Sequence, residues 1–165
     1  MKKLYIKQKV LSMGGRFNVK DEQGQDVYLV EGSFMRIPKT FIIRNTKGEE
    51  VASITKKTFS FLPTFFVNAG GREVLMIKKR FSFLKARYTI DTAGIEVRGN
   101  WWDMNFEVFQ NGEIAGAVGK EWFTWGDSYQ VQIEKGEMET ILIALVVAID
   151  CVKADQAAAS SVSVP

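Results

Sequence analysis

The sequence predicts a mainly β (α+β) domain of about twelve antiparallel strands, closed into a barrel around one apolar C-terminal helix. Three observations lead to this class: segments of alternating polarity, turn motifs at regular spacing, and one long apolar run. Many short, evenly spaced strands are typical of barrels and sandwiches. At 165 residues and 46% hydrophobic, the chain can bury such a core without disulfides. We expect a single domain over residues 1–155 and a flexible tail over 156–165.

The strands are predicted by apolar residues that recur at every second position. Clear examples are Tyr129-Gln-Val-Gln-Ile133, Met104-Asn-Phe-Glu-Val108 and Ile95-Glu-Val97. A period of two places all apolar side chains on one face of a strand. Each segment is therefore predicted to be a half-buried strand of a barrel wall.

Glycine-containing turn motifs separate these strands. Glycine adopts positive φ without strain, and Asn and Asp bond to their own backbone, so such motifs are typical of hairpins. The glycines at 24, 48, 71 and 94 recur every 23 or 24 residues, which predicts one hairpin per repeat. The motifs are Asp21–Gly24, Asn45–Gly48, Asn68–Gly71, Asp91–Gly94 and Asn111–Gly112.

A second repeat combines basic and aromatic residues. Lys56-Lys-Thr-Phe-Ser-Phe-Leu62 recurs as Lys78-Lys-Arg-Phe-Ser-Phe-Leu84, and Lys120-Glu-Trp-Phe-Thr-Trp125 is a looser third copy. Internal similarity of this kind indicates repeated structural units. The related copies are expected to occupy equivalent places in the barrel.

The C-terminal helix is predicted from the run Ile141–Ile149, which is apolar at every position and lacks Gly and Pro. A helix that is apolar around its whole circumference is buried on all sides. The uncharged stretch is shorter than the roughly 20 residues needed to span a bilayer, so no transmembrane segment is expected. We therefore expect the helix to fill the barrel.

These features together resemble a known family. About twelve strands ending in one hydrophobic helix, with Lys20-Asp-Glu-x-Gly24 followed by Tyr28-x-Val30-x-Gly32, are similar to the LURP-one-related proteins. The resemblance implies a tubby C-terminal-like barrel that encloses its helix. Distant relatives in that superfamily are the tubby proteins, which bind phosphoinositides, and the phospholipid scramblases. No phosphoinositide-binding residue of tubby can be matched here, so the resemblance implies only a general affinity for membrane lipid.

Charge and cysteine content suggest where the protein acts. Residues 1–87 contain 18 Lys and Arg against 7 Asp and Glu, whereas residues 88–165 contain 4 against 12. Such asymmetry orients a molecule towards an anionic surface, although it is also compatible with ordinary solvation. The lone Cys151 is expected to be a buried residue in a reducing compartment. Without a recognisable secretion signal, we expect a cytoplasmic protein, peripheral at the membrane if it binds lipid.

The composition argues against most known catalytic chemistry. The chain has no histidine and one cysteine, so Ser-His-Asp and Cys-His nucleophile systems and the usual zinc sites are missing. It also lacks a glycine-rich nucleotide loop, so no cofactor or metal is expected. Asp21-Glu22 and Glu49-Glu50 adjoin turns, where solvation explains them. We expect no catalytic residues and a protein that is not an enzyme.

The candidate binding site is the group of basic residues around the two Phe-Ser-Phe-Leu segments. Lysine and arginine bind phosphate groups as point charges and bidentate donors, respectively. In the alternative interpretation, Phe59, Phe61, Phe81 and Phe83 pack in the core while the cations form a solvated rim. The candidate anion- or lipid-binding residues are Lys56, Lys57, Lys78, Lys79, Arg80, Lys85 and Arg87.

Three functions are compatible with these features. The first is a non-enzymatic binding or scaffold protein that contacts anionic phospholipid or a protein partner; the others are a small-molecule carrier and an unrecognised hydrolase. Nucleic-acid binding is less favoured because the second half is acidic. Trp101-Trp102 is expected to lie in a strand, with one ring buried and the other available to a partner. The sequence leaves the oligomeric state open.

Overall fold

The computed structural model describes residues 1–7, 15–33, 38–57, 61–80, 87–92, 94–121 and 128–161. Twelve strands and one long α-helix occur in these residues, which confirms the mainly β class with a C-terminal helix. The strands are β1 (Lys2–Lys7), β2 (Arg16–Asp21), β3 (Asp26–Gly32), β4 (Thr40–Asn45), β5 (Glu50–Lys56), β6 (Thr64–Ala69), β7 (Arg72–Arg80), β8 (Arg87–Thr92), β9 (Ile95–Asn100), β10 (Asn105–Gln110), β11 (Glu113–Glu121) and β12 (Ser128–Ile133). The helix is α1 (Glu139–Ser161).

All twelve strands belong to one antiparallel sheet that is nearly closed. Strands that follow one another in the chain pair with each other except at β8 and β9, and β1 pairs with β12, with Lys2 opposite Ile133. Only β8 and β9 have one neighbour each, so they form the two edges of the sheet. The prediction of a hairpin at Asp91–Gly94 is therefore wrong for the described residues. At this seam the Thr92 hydroxyl donates to the carbonyl of Ile95.

The alternating strand direction gives the barrel two different ends. One end, here the turn end, carries the short connections 22–25, 46–49, 70–71, 93–94 and 111–112. The other end, here the loop end, carries the connections 8–15, 33–39, 57–63, 81–86, 101–104 and 122–127. Connecting segments often carry binding residues on a rigid scaffold. The loop end therefore has more chain available for recognition.

The turn end is built as the glycine motifs predict. The Asp21 carboxylate accepts hydrogen bonds from the backbone N–H groups of Gln23 and Gln25, and Gly24 has φ of 76°. The Asn45 side chain bonds the N–H groups of Lys47 and Glu49 in the same way. Four of the five predicted hairpins thus join paired strands.

Helix α1 fills the interior, as its uniform apolar character predicts. Every residue from Leu142 to Val152 is buried, and the inward side chains of the strands pack around them. The helix continues to Ser161 because Ala157, Ala158 and Ala159 favour helical backbone. The domain boundary at residue 155 stays a prediction. In the described part of the chain, no helix has the length and apolar character needed to cross a membrane.

Candidate functional site

Charges on strands β4 to β8 are sorted between the two ends of the barrel. The acidic residues of this arc, Glu49, Glu50, Glu73 and Asp91, all lie at the turn end. The loop end of the same strands carries basic residues. This sorting makes the loop end the strongest candidate for binding an anion.

The structure brings four of the predicted site residues to this loop end. Lys57 and Lys78 are exposed and lie on either side of Thr64: the Lys57 N–H donates to the Thr64 carbonyl, and Thr64 is opposite Lys78. Their backbones are thus about 10 Å apart, two strand spacings. Lys56 and Lys79 continue the series of inward-facing positions on β5 and β7, and both are half-buried at the rim. Lys57, Lys78 and Lys79 make no ion pair with any side chain that the structure describes.

The other predicted site residues are less completely described. Arg80 ends β7 and Arg87 begins β8, so both strand positions lie at the loop end. Lys85, Phe59, Phe81 and Phe83 lie outside the described residues. Phe61 is 92% exposed, so the prediction of core packing is wrong for this ring. Phe61 lies in the connection between β5 and β6, so its side chain does not point into the barrel interior.

A cavity of about 110 Å³ lies at the loop end between α1 and strands β4 to β6. We call it the rim pocket. Its walls combine apolar side chains from the strands with one face of the helix, and two lysines and one aspartate supply its charges. The lining residues are Lys39, Phe41, Ile54, Lys56, Phe65, Cys151, Ala154, Asp155 and Ala158.

The pairing of β4 with β5 places the two lysines of the rim pocket side by side. The Lys56 N–H donates to the Lys39 carbonyl at 3.0 Å. The Lys56 ammonium forms an ion pair with Asp155 of α1 and lies 6.0 Å from the centre of the Phe65 ring. Lys39 is exposed and has no ion-pair partner among the described side chains. The pocket therefore has one surplus positive charge.

The thiol of Cys151 is buried in this region and is not activated. Burial, and secondarily the nearby Asp150 carboxylate, raise the pKa of Cys151 well above its ordinary value, and Lys39 offsets this only in part. A protonated thiol is a poor nucleophile. Cys151 therefore acts as a small apolar wall residue, as the sequence predicts.

The two tryptophans of the loop end are arranged differently from the prediction. Trp101–Asp103 forms a turn of 3-10 helix whose start is capped by the Asn100 side chain, so these residues are not in a strand. The rings stack edge to face, with centroids 5.6 Å apart, and both are half-buried. The expectation of one buried and one exposed ring is therefore wrong.

Sequence analysis missed Lys39 and Asp155. Lys39 stands two residues before the buried Phe41, so alternation alone places it on the inward side of the rim. Asp155 follows Cys151 by one helical turn, which is the spacing that puts two residues on one helix face. Both signals are present in the sequence. The two residues come together only because α1 packs against β5, whose Lys56 lies beside Lys39 and forms the ion pair with Asp155.

The described residues contain no group of three or more His, Cys, Asp or Glu side chains able to hold a metal ion. Tyr129 donates to the buried Asp150 at 3.5 Å, and burial raises the pKa of this tyrosine above its ordinary value. This pair lies inside the core, and neither residue lines the rim pocket. The exposed lysines make the loop end suited to binding an anion.

The fold and the site define a class of protein: a nearly closed antiparallel barrel that encloses an apolar helix and carries a basic loop end. The model of the LURP-one-related family matches residues 2–150, so the chain belongs to that family. It is 30% identical over 152 residues to Uncharacterized protein YxjI of Bacillus subtilis (strain 168), covering 92% of this chain and 94% of the relative. The predicted family resemblance is confirmed.

A solved structure has a similar fold. The X-ray structure of a protein from Arabidopsis thaliana superposes with a TM-score of 0.59 at 14% sequence identity, covering 91% of this chain and 90% of the other. At this identity the likeness concerns the fold alone. Neither the family description nor the names of these relatives assign a reaction.

Proposed function

We propose that this protein is a non-enzymatic binding protein that docks onto anionic phospholipid membranes through the loop end of strands β4 to β8. The distribution of charge on these strands carries the proposal: all four acidic residues lie at the turn end, together with Lys47 and Arg72, whereas the loop end of the same strands carries basic residues and no acidic ones. A solvated rim would not require this separation. A planar anionic surface would favour it, because the barrel could then present its basic end to the lipid.

The exposed cations are numerous enough for measurable attraction. Each lysine near an anionic leaflet contributes about 1 kcal/mol, so the exposed Lys57 and Lys78 together supply about 2 kcal/mol. Phe61 adds an exposed aromatic ring at the same end. Aromatic rings favour the boundary between lipid headgroups and hydrocarbon. Charge and apolar contact therefore act on the same face.

The resemblance to the tubby C-terminal-like superfamily supports this proposal, because tubby proteins and scramblases act at membranes. A cytoplasmic protein that is peripheral at the membrane is the corresponding location. A barrel that carries cargo in its interior is disfavoured, because α1 occupies that space. A hydrolase is disfavoured because the loop end offers no activated nucleophile among its described residues.

Vesicle flotation tests the proposal. The protein is mixed with phosphatidylcholine vesicles, with or without phosphatidylserine, and recovery in the floating fraction is measured. We expect recovery only with the anionic lipid. Reversing two cations, Lys57→Glu with Lys78→Glu, is expected to weaken binding at least about tenfold. Equal recovery on both vesicle types, or recovery on neither, would refute membrane docking.

A matched control comes from the turn end. Lys47→Glu with Arg72→Glu changes the net charge by the same amount, and both side chains are exposed. We expect this variant to float like the original protein, because its substitutions face away from the membrane. An equal loss in both variants would mean that net charge, not the loop end, controls binding.

A further inference from the structure

The rim pocket has a chemistry that membrane docking does not use. Its volume of about 110 Å³ exceeds the roughly 30 Å³ that one water molecule occupies in the liquid. An apolar cavity of about 150 Å³ is known to accept benzene, so this pocket suits a ligand of only a few heavy atoms. A lipid headgroup with several phosphates is too large to enter it.

The walls of the pocket favour a ligand with an apolar body. Phe41, Ile54 and Phe65 line it from the strands, and Ala154 and Ala158 line it from the helix. A free phosphate would present oxygens to these walls, where no donor is available from them, and unpaired buried oxygens are costly. A short hydrocarbon chain would instead gain from leaving water.

The charges favour a single negative group. Lys56 is already paired with Asp155, whereas Lys39 has no ion-pair partner among the described side chains. The pocket thus carries a net charge of one positive unit. One carboxylate neutralises this charge and can accept hydrogen bonds from both neighbouring ammonium groups.

We propose that the rim pocket binds a small monocarboxylate with a short aliphatic body. Its carboxylate lies between Lys39 and Lys56, and its carbon chain lies between Phe41, Phe65 and the alanines of α1. The site is independent of the membrane proposal, because the cations used there, Lys57 and Lys78, do not line this pocket.

Titration with sodium butyrate, followed by NMR at the methyl groups of Ala154 and Ala158, tests the proposal. A six-atom ligand is expected to bind in the millimolar range. Butyramide has the same shape without the charge, so we expect it to bind at least about tenfold more weakly. Inorganic phosphate provides charge without an apolar body and is also expected to bind more weakly. Equal shifts with butyrate and butyramide, or tighter phosphate binding, would overturn the proposal.

Variants of exposed residues separate ligand contact from folding. Ala158→Trp is expected to block the pocket and abolish the butyrate shifts, whereas Ala157→Trp, on the adjacent exposed position that does not line it, should leave binding intact. In these variants the shifts are read at Ala154. Binding that survives Ala158→Trp, or is lost equally in both variants, would place the ligand elsewhere.

Charge variants give a second readout with opposite signs. Lys39→Gln is expected to weaken butyrate binding about tenfold, and Asp155→Asn to tighten it about fivefold by removing the competing carboxylate. Glu22→Gln at the turn end is the matched control and should have no effect. Weaker binding in Asp155→Asn would contradict the proposed position of the carboxylate. The membrane variant Lys57→Glu with Lys78→Glu should still bind butyrate, because neither residue lines the pocket, so the pocket and membrane proposals can fail separately.

Discussion

Gly116 in β11 shows how one residue sets the distance between the barrel wall and its helix. A Cβ atom at this position would lie 2.4 Å from the Gln132 carbonyl oxygen and 2.6 Å from a Leu142 methyl group. The first contact involves the backbone of the neighbouring strand, which cannot rotate away. Any side chain at this position must therefore displace β12 or α1.

Gly116→Ala is consequently expected to destabilise the protein by about 1–3 kcal/mol, the usual range for overpacking a filled core. Urea unfolding followed by tryptophan fluorescence measures the change. Gly119→Ala in the same strand is the matched control, because a Cβ there meets no atom within 4 Å. We expect that variant to retain full stability. Similar losses in both variants would indicate a general intolerance of β11 to alanine instead of close packing on α1.

At the scale of elements, the start of α1 is fixed to two strands at the turn end. Glu139, the first residue of the helix, accepts a hydrogen bond from the Tyr28 hydroxyl of β3 at 2.7 Å. It also forms an ion pair with Lys2 of β1 at 2.8 Å. A carboxylate also suits the positive end of the helix dipole. Burial, and then the bond to Glu139, raise the pKa of Tyr28 above its ordinary value of 10.0.

This shift gives the clamp a pH dependence with a definite sign. Above about pH 10, Tyr28 ionises in the unfolded chain but keeps its proton in the folded protein, so the folded state loses stability as pH rises. The stability advantage of the original protein over Tyr28→Phe is expected to be about 1–2 kcal/mol near neutral pH. It should fall by up to about 1.4 kcal/mol per pH unit above pH 10. Urea unfolding across this range measures it, and a difference that stays constant with pH would contradict the raised pKa of Tyr28.

Local patterns predicted most elements, but not every contact between them. Alternation and glycine turns act within a few residues, so they predicted strand count, four hairpins and the buried helix. The seam between β8 and β9 depends on how the whole sheet closes, which alternation does not encode. In the rim pocket, Lys56 contacts Asp155, which lies 99 positions later in the sequence. The two residues meet only because α1 lies inside the barrel.

At the scale of the whole molecule, the charge asymmetry of the sequence takes two forms. The basic first half, residues 1–87, supplies strands β1 to β7, and the acidic second half supplies β8 to β12 with α1, so the halves are two arcs of one wall. Within the basic arc, a second gradient runs from the turn end to the loop end. The halves alone would orient the barrel on its side, whereas the second gradient directs its loop end towards an anionic surface.

This second gradient predicts how membrane binding depends on salt. Exposed charges are screened over about 8 Å at physiological ionic strength and about 30 Å at 0.01 M, so recovery on phosphatidylserine vesicles should fall steeply as salt is added. Lys57→Glu with Lys78→Glu should make the dependence shallower, because fewer cations face the lipid. Lys47→Glu with Arg72→Glu should keep the original slope, since those residues lie at the turn end. Cosedimentation over a salt series measures both, and binding that resists salt would assign the attraction to apolar contacts such as that of Phe61.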